Sequence, residues 1–258
     1  MKFNPGFAIE PDFSKMIFRY GLGVFGPEVE QRKIDAIRKS LMDPDCQGPE
    51  IVYAISMDVG KEADRNDLVE RNLLYGAVLY AEGRLGQEPI RSQGHIHAIS
   101  ASCGQSTPEV YEIWSGKGII YMQESATDQP GRCFAVEGHP GDVIIVPPGW
   151  AHATISADPN QPLAFGAWCV RDFGFDYDLV REHEGMAFFP ILEDDSIRWV
   201  KNENYEACEL VEKRPNDYQE LNLDPEQAIY TQYQKNPSKF DFVKEPSLAS
   251  EIWENFIP

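Results

Sequence analysis

The chain has 258 residues, and its 23 lysines and arginines against 42 aspartates and glutamates give a formal net charge of −19 at pH 7. This charge argues against nucleic acid or an anionic membrane surface as a partner, and no apolar run approaches the ~20 residues that a membrane span needs. The length suits one large domain or a domain with extensions. An anionic substrate would need local help from a metal, from backbone N–H groups or from a few placed cations.

One helix is predicted near the N-terminus, over roughly Pro27 to Leu41. Val29, Ile34, Ile37 and Leu41 recur there at helical spacing, Pro27 suits a first helical turn, and Asp43-Pro44 would end the helix. We therefore expect residues 1–48 to form an N-terminal segment with one helix.

From Ile51 the pattern changes to short β-rich runs separated by turn sequences. The runs are Ile51 to Ile55, Leu73 to Tyr80, Val110 to Met122, Val143 to Val146 and Leu163 to Val170. The turns between them carry pairs such as Glu82-Gly83 and Pro140-Gly141. This pattern predicts a β-sandwich or barrel over residues 49–200.

After about residue 200 the composition becomes polar and acidic. No long periodic apolar face is present there, so residues 201–258 are predicted to be an acidic extension over the barrel. Its aromatic residues would serve as anchors, namely Tyr205, Tyr230, Tyr233, Phe240, Phe242 and Trp253.

The cysteines indicate a reducing compartment. They form an odd, scattered set without a Cys-x-x-Cys pair, consisting of Cys46, Cys103, Cys133, Cys169 and Cys208. Such a set is typical of reduced thiols, which predicts a cytoplasmic protein.

The most specific pattern joins His95 and His97 to Glu109 and His152. Alternate side chains of a strand share a face, so His95 and His97 can bind one ion. Three imidazoles and one carboxylate form a mixed nitrogen and oxygen site that suits one divalent Fe, Mn, Ni or Zn ion. Four protein ligands leave an octahedral ion two positions for adjacent substrate oxygens.

The spacing around these residues resembles the two motifs of the cupin barrels. Glu109 precedes Gly116 by six intervening residues, and Gly141 precedes Pro147 by five, with Gly149 and His152 following. The resemblance implies a mainly all-β fold, a double-stranded β-helix or jelly-roll barrel. A departure is the eleven-residue gap between His97 and Glu109, which we expect to be a loop at the barrel mouth.

A narrower resemblance covers roughly residues 4 to 200. The chain is similar to the archaeal-type cupin glucose-6-phosphate isomerases in three segments, Ser92-Gln93-Gly94-His95-Ile96-His97-Ala98, Glu109-Val110-Tyr111-Glu112-Ile113-Trp114-Ser115-Gly116-Lys117-Gly118, and Pro140-Gly141-Asp142-Val143-Ile144-Ile145-Val146-Pro147-Pro148-Gly149-Trp150-Ala151-His152-Ala153-Thr154. It implies a metal-dependent aldose–ketose isomerase that interconverts glucose 6-phosphate and fructose 6-phosphate, usually as a homodimer. A small sugar phosphate is the implied partner, with no nucleic acid or membrane.

The same resemblance implies roles for individual residues. His95, His97, Glu109 and His152 would hold the metal, and Glu109 would move a proton between C1 and C2 through an enediolate, with a hydride shift as the alternative. Substrate contacts are expected from Ser92, Gly94, Tyr111 and Trp150.

Phosphate recognition departs from the family pattern. Ala77, Cys169 and Phe175 stand where family members tend to have a threonine, a tyrosine and a histidine. A related phosphorylated or free sugar is therefore an alternative substrate. Three arginines could compensate for the missing phosphate partners, namely Arg84, Arg91 and Arg171.

Two other functions fit a cupin barrel. The same four ligands occur in the chemistry of Fe(II) or Mn(II) dioxygenases and oxalate-type enzymes, which the residues beside Glu109 and His152 argue against. A sugar-binding cupin without turnover is the other alternative, although pure binding would not require all four ligands.

Overall fold

The computed structural model describes residues 3–194 and 196–258, and β-strands dominate it. The strands of the first half are β1 Ile9–Asp12, β2 Ile17–Tyr20, β3 Val24–Phe25, β4 Glu30–Lys33, β5 Ile51–Met57, β6 Gly60–Lys61, β7 Leu73–Tyr80, β8 Arg84–Leu85, β9 Glu88–Pro89 and β10 Ile96–His97. Those of the second half are β11 Glu109–Ser115, β12 Gly118–Gln123, β13 Cys133–Gly138, β14 Val143–Val146, β15 Ala151–Ser156, β16 Leu163–Val170, β17 Phe175–Asp176, β18 Phe188–Glu193, β19 Ser196–Lys201 and β20 Leu210–Lys213.

The helices are short and lie mostly outside the strand-rich centre. The α-helices are α1 Arg65–Glu70, α2 Asp178–Glu182, α3 Ile229–Lys235, α4 Asp241–Lys244 and α5 Ser250–Trp253. Single turns of 3-10 helix occupy Ile34–Ala36, Arg38–Ser40, Glu62–Asp64, Gln219–Leu221, Pro237–Phe240 and Pro246–Ala249. Among the described residues, none of these helices is long and apolar enough to span a membrane.

Two facing sheets form the barrel. One has six strands in the order β14-β11-β16-β7-β5-β4, and the other has four in the order β15-β12-β13-β20. The pairs are antiparallel except for β13 and β20, which run parallel. From β11 to β16 the chain crosses between the two sheets after β11, β13, β14 and β15, which is typical of a jelly roll, and the fold is the mainly-β cupin barrel that the sequence predicts.

Alternation along the strands divides the apolar residues into three buried clusters. On β11, Tyr111 and Ile113 face the barrel interior, whereas Val110 and Trp114 face outward beneath the N- and C-terminal segments. The outer face of the four-stranded sheet forms the third cluster with the β18–β19 hairpin and α2. The barrel interior is therefore the middle one of three buried apolar clusters, between one on the outer face of each sheet.

The segment predicted as a helix from Pro27 to Leu41 is instead a strand followed by two 3-10 turns. Ile34, Ile37 and Leu41 are buried, so the apolar spacing is real. However, the polar run Glu30–Lys33 pairs with β5 as the edge strand of the larger sheet. Sheet hydrogen bonds from a distant segment thus override a local helical pattern, and charged residues suit an exposed sheet edge.

Residues after 200 pack against the barrel in two places. Strand β20 extends the four-stranded sheet, and the helices from α3 onward cover the outer face of the six-stranded sheet. The aromatic anchors are buried or partly buried as predicted, and Trp168 of the barrel stacks with Tyr230 at 5.6 Å and lies 4.7 Å from Tyr233. The division at residues 48 and 200 stays a prediction.

Candidate metal centre

Three elements bring His95, His97, Glu109 and His152 together. His97 lies on β10, Glu109 begins β11, and His152 lies on β15. His95 precedes β10 and forms an isolated antiparallel bridge with His152, with N–H···O distances of 3.0 and 2.9 Å. Each residue offers one ligand atom, and the four atoms lie within 4.8 Å of one another.

Backbone carbonyls orient two of the imidazoles. The Nδ1 atom of His97 lies 2.9 Å from the Thr107 carbonyl oxygen, and that of His152 lies 3.1 Å from the Trp150 carbonyl oxygen. In neutral imidazoles Nδ1–H would donate to these carbonyls, which leaves the Nε2 lone pairs directed at the cluster. Metal-binding histidines are commonly fixed in this way.

Two neighbouring imidazoles favour the ionised form of the buried Glu109 carboxyl. Burial raises its pKa, but the imidazoles of His152 and His97, whose Nε2 atoms lie 3.3 and 3.2 Å from Oε2, outweigh burial and hold the pKa well below its usual range. The Tyr111 hydroxyl donates to Glu109 Oε2 at 2.7 Å, and the Cys169 thiol donates to Oε1 at 3.2 Å. Burial raises the pKa of Tyr111, so its hydroxyl keeps the proton that it donates.

The residues fit a divalent metal. Burial lowers the pKa of His95 and of His152, and neighbouring imidazoles lower both further, so neutral rings are favoured. Within the described residues, the Nε2 atom of His95 is buried without a hydrogen-bond partner, and that of His97 is buried 3.2 Å from Glu109 Oε2 without forming a hydrogen bond. Such atoms are costly to bury unless something binds them, and three neutral imidazoles with one carboxylate match the ligands of a transition metal.

Two residues of the cluster, His95 and Glu109, line a cavity inside the barrel. Hydroxyl groups on its wall belong to Tyr53, Tyr80, Ser92, Tyr111, Thr154 and Tyr177. Apolar side chains complete the wall, namely Ile55, Met57, Val78, Phe165 and Phe175. A polyhydroxylated ligand could thus contact both hydroxyls and rings beside the four candidate ligands.

Two of the four predicted substrate contacts line this cavity. Ser92 does so with its Oγ accepting a hydrogen bond from the Thr154 N–H at 3.0 Å, and Tyr111 lies beside Glu109. Gly94 has another reason to be glycine, since its φ is 90° and an added Cβ would lie 2.6 Å from the Met186 sulfur.

Trp150 is not among the cavity-lining residues. Its ring stacks on Phe134 with centroids 5.9 Å apart, and the Arg132 guanidinium lies 5.2 Å from its centroid. This packing holds the ring beside β13, and the expected contact of Trp150 with the sugar stays a prediction.

Two of the three positions that depart from the family pattern lie on opposite faces of the larger sheet, and the third, Phe175, lies on β17, which pairs with β10. Ala77 packs in the outer cluster, whereas Val78 and Tyr80 of β7 face the cavity. Cys169 faces inward and contacts Glu109, whereas Phe175 lies against His95 with ring centroids 4.4 Å apart.

Sequence reasoning missed several cavity residues. Tyr53, Ile55 and Met57 line the cavity from β5, and their spacing of two residues already places them on one face. Tyr80 stacks on Tyr53 at 5.0 Å across the neighbouring strand, which only the register reveals.

Comparison with known proteins gives the family. The model of the family described as "Glucose-6-phosphate isomerase (GPI)" matches residues 36–208, a span that includes all four candidate ligands. The chain belongs to the glucose-6-phosphate isomerase family. Enzymes of this family are aldose–ketose isomerases, a class of intramolecular oxidoreductases.

Named members of the glucose-6-phosphate isomerase family show how far the similarity extends. The enzyme of Thermococcus kodakarensis is 31% identical over 151 residues, which cover 58% of this chain and 69% of that protein. That of Thermococcus litoralis is 24% identical over 210 residues, 79% of this chain and 97% of that protein.

Solved structures resemble this isomerase-family chain only in part. Hazelnut vicilin gives a TM-score of 0.37 at 12% identity over 50% of this chain and 33% of its own. A Bacillus subtilis oxalate decarboxylase mutant gives 0.33 at 15% identity over 51% and 28%.

Proposed function

We propose that the chain interconverts glucose 6-phosphate and fructose 6-phosphate, or a closely related sugar phosphate, with a divalent transition metal bound by His95, His97, Glu109 and His152. The observation that carries the proposal is the convergence of these four side chains beside a hydroxyl-lined cavity in a member of this family. That the enzyme is a cytoplasmic homodimer stays a prediction from the resemblance.

In this proposal the bound metal and Glu109 share the chemistry. A bound divalent metal would supply Lewis-acid polarisation of adjacent sugar oxygens. Glu109 would accept the proton from one carbon of the open-chain sugar and return it to the next. The hydrogen bond from Tyr111 holds this carboxylate in place, and Glu109 is only 8% exposed.

Metal removal tests the proposal directly. We expect chelation to abolish the formation of fructose 6-phosphate from glucose 6-phosphate, and reloading with Fe, Mn, Ni or Zn to identify the ion that restores it. His152→Ala should lose both metal and activity, because it removes a ligand from the cluster. His139→Ala is the matched control, since His139 lies on the surface, where it faces Glu137.

The same experiment separates the alternative functions. Fully metal-loaded protein that forms no fructose 6-phosphate would contradict the proposal and favour a sugar-binding cupin. Oxygen consumption with a small organic acid would instead favour a dioxygenase or oxalate-type enzyme.

The role of Glu109 has its own test. If it carries the proton, turnover in D₂O should place solvent deuterium on the carbon that receives that proton, as measured by NMR. A product that takes up no deuterium would indicate direct hydride transfer between the two carbons and would contradict Glu109 as the base.

A further inference from the structure

The cavity provides hydroxyls but no cation for a phosphate. None of its described lining residues is a lysine or an arginine. The arginines considered from the sequence are engaged or distant from its wall. Arg91 is buried against Glu88 and the Ser40 carbonyl, Arg171 forms a two-bond pair with Asp58, and Arg84 is exposed on β8. A substrate phosphate that binds to a protein with a net charge of −19 therefore needs positive charge from residues other than these three arginines.

Arg32 provides the first candidate at the rim. It lies directly opposite Tyr53 in the β4–β5 pairing, and directly opposed residues of antiparallel strands share a face. Tyr53 lines the cavity, so Arg32 projects on the cavity side of the sheet edge. Its ion pair with Glu30 spans 2.9 Å, but both side chains are at least a third exposed, so the pair adds little to stability.

Arg181 of α2 is the second candidate, because it contacts two residues of the cavity wall. Its Nε–H donates a hydrogen bond to Gln93 Oε1 at 3.0 Å, and its guanidinium carbon lies 4.9 Å from the Tyr177 ring centroid. Both contacted residues line the cavity. No carboxylate of the described residues forms an ion pair with Arg181, so its terminal nitrogens are available to an anion.

Tyr177 links the two arginines. Burial raises the pKa of its hydroxyl, while the positive charges of Arg32 and Arg181 oppose that rise. Both guanidinium groups are thus close enough to act electrostatically on one hydroxyl in the cavity wall. Among the described residues around the cavity, Arg32 and Arg181 thus bring positive charge to the wall at Tyr177.

We propose that Arg32 and Arg181 bind the phosphate of the substrate at the rim of the cavity, with the Tyr177 hydroxyl between them. The inference rests on the proposed function and extends it to the residues that would select a phosphorylated sugar over a free one. Guanidinium groups pair with phosphate oxygens through two parallel hydrogen bonds.

The test compares the binding of sorbitol 6-phosphate and of sorbitol to the metal-loaded protein by titration calorimetry. We expect Arg32→Gln and Arg181→Gln each to weaken binding of sorbitol 6-phosphate roughly tenfold to a hundredfold, without changing that of sorbitol. Arg198→Gln is the matched control, since Arg198 is a half-exposed, ion-paired arginine on β19. Variants that bind sorbitol 6-phosphate as the wild type does would overturn the inference.

A second measurement uses the unaltered protein, so it holds even if a variant folds poorly. Sorbitol 6-phosphate should protect Arg32 and Arg181, but not Arg198, from modification by phenylglyoxal, as read by mass spectrometry. Equal modification with and without the ligand would overturn the inference. Protection without isomerase activity would contradict the proposed function alone, and activity without protection would contradict the phosphate site alone.

Discussion

At the scale of single residues, Glu112 is a buried carboxyl outside the candidate centre. It faces outward from β11, where its Oε1 accepts the Ile229 N–H at 2.7 Å and its Oε2 accepts the Trp114 indole N–H at 3.2 Å. Burial raises its pKa to about 8, although the N–H donors oppose that rise. Glu112 therefore joins the C-terminal segment to the barrel mainly in its protonated form.

The pH dependence of stability follows from this pKa. A group whose folded pKa exceeds its unfolded value stabilises fully below the unfolded pKa, and its contribution is lost as pH rises through the folded pKa. For Glu112 the window runs from about pH 4.5 to about pH 8. The difference in unfolding free energy between wild type and Glu112→Gln should therefore fall across it, by on the order of 4 kcal/mol.

Urea unfolding of both proteins at several pH values measures this difference. The Gln side chain has nearly the same shape and does not titrate, so other groups cancel in the comparison. A difference that stays constant between pH 4.5 and pH 8 would contradict the raised pKa.

At the scale of elements, the loop between β10 and β11 is fixed in place rather than free. Asp172 accepts hydrogen bonds from the Ser100 hydroxyl, the Ser102 N–H and the Asn72 amide at 2.9–3.0 Å. The same loop contains Thr107, whose carbonyl orients His97. An exposed aspartate thereby acts on a candidate metal ligand through the loop.

Asp172→Ala should consequently weaken metal binding by up to about tenfold, because partners that orient metal-binding histidines contribute to affinity. Competition with a chromophoric chelator measures the affinity. Asp158→Ala is the matched control, since Asp158 also caps a turn, by accepting the Asn160 N–H, but at the β15–β16 connection. Equal affinities for both variants would show that the loop does not position His97.

At the scale of the whole molecule, the C-terminal segment and the barrel share one apolar cluster. Phe240 is fully buried there, with its ring centroid 5.4 Å from that of Trp168. A shared core couples the two parts, so we expect the metal-free protein to unfold in one transition rather than two.

Phe240→Ala should destabilise this whole unit by roughly 3–5 kcal/mol, because it removes a large side chain from a packed interior. Calorimetry and tryptophan fluorescence should report one common, lowered melting temperature. Leu248→Ala should leave it nearly unchanged, since Leu248 is 66% exposed in the same segment. A separate early transition confined to the variant would indicate that the segment unfolds independently.

The sequence by itself determined the features that depend on local spacing. Alternation along a strand predicted that His95 and His97 share a face and that Glu109 and Tyr111 share another, and the turn signals predicted a β-barrel. The cupin spacing and the family resemblance added His152 to the same group. These inferences succeed because strand alternation is a local property and because the motif glycines and prolines mark turns.

Only the tertiary structure decided which distant segments meet. The pairing of Glu30–Lys33 with β5 replaced the predicted helix, and the register of that pair placed Arg32 beside Tyr53. Packing against Phe134 holds the Trp150 ring beside β13, and the C-terminal segment buried Glu112. Register, burial and pKa arise from contacts between residues far apart in sequence, so the spacing of neighbours along the chain does not contain them.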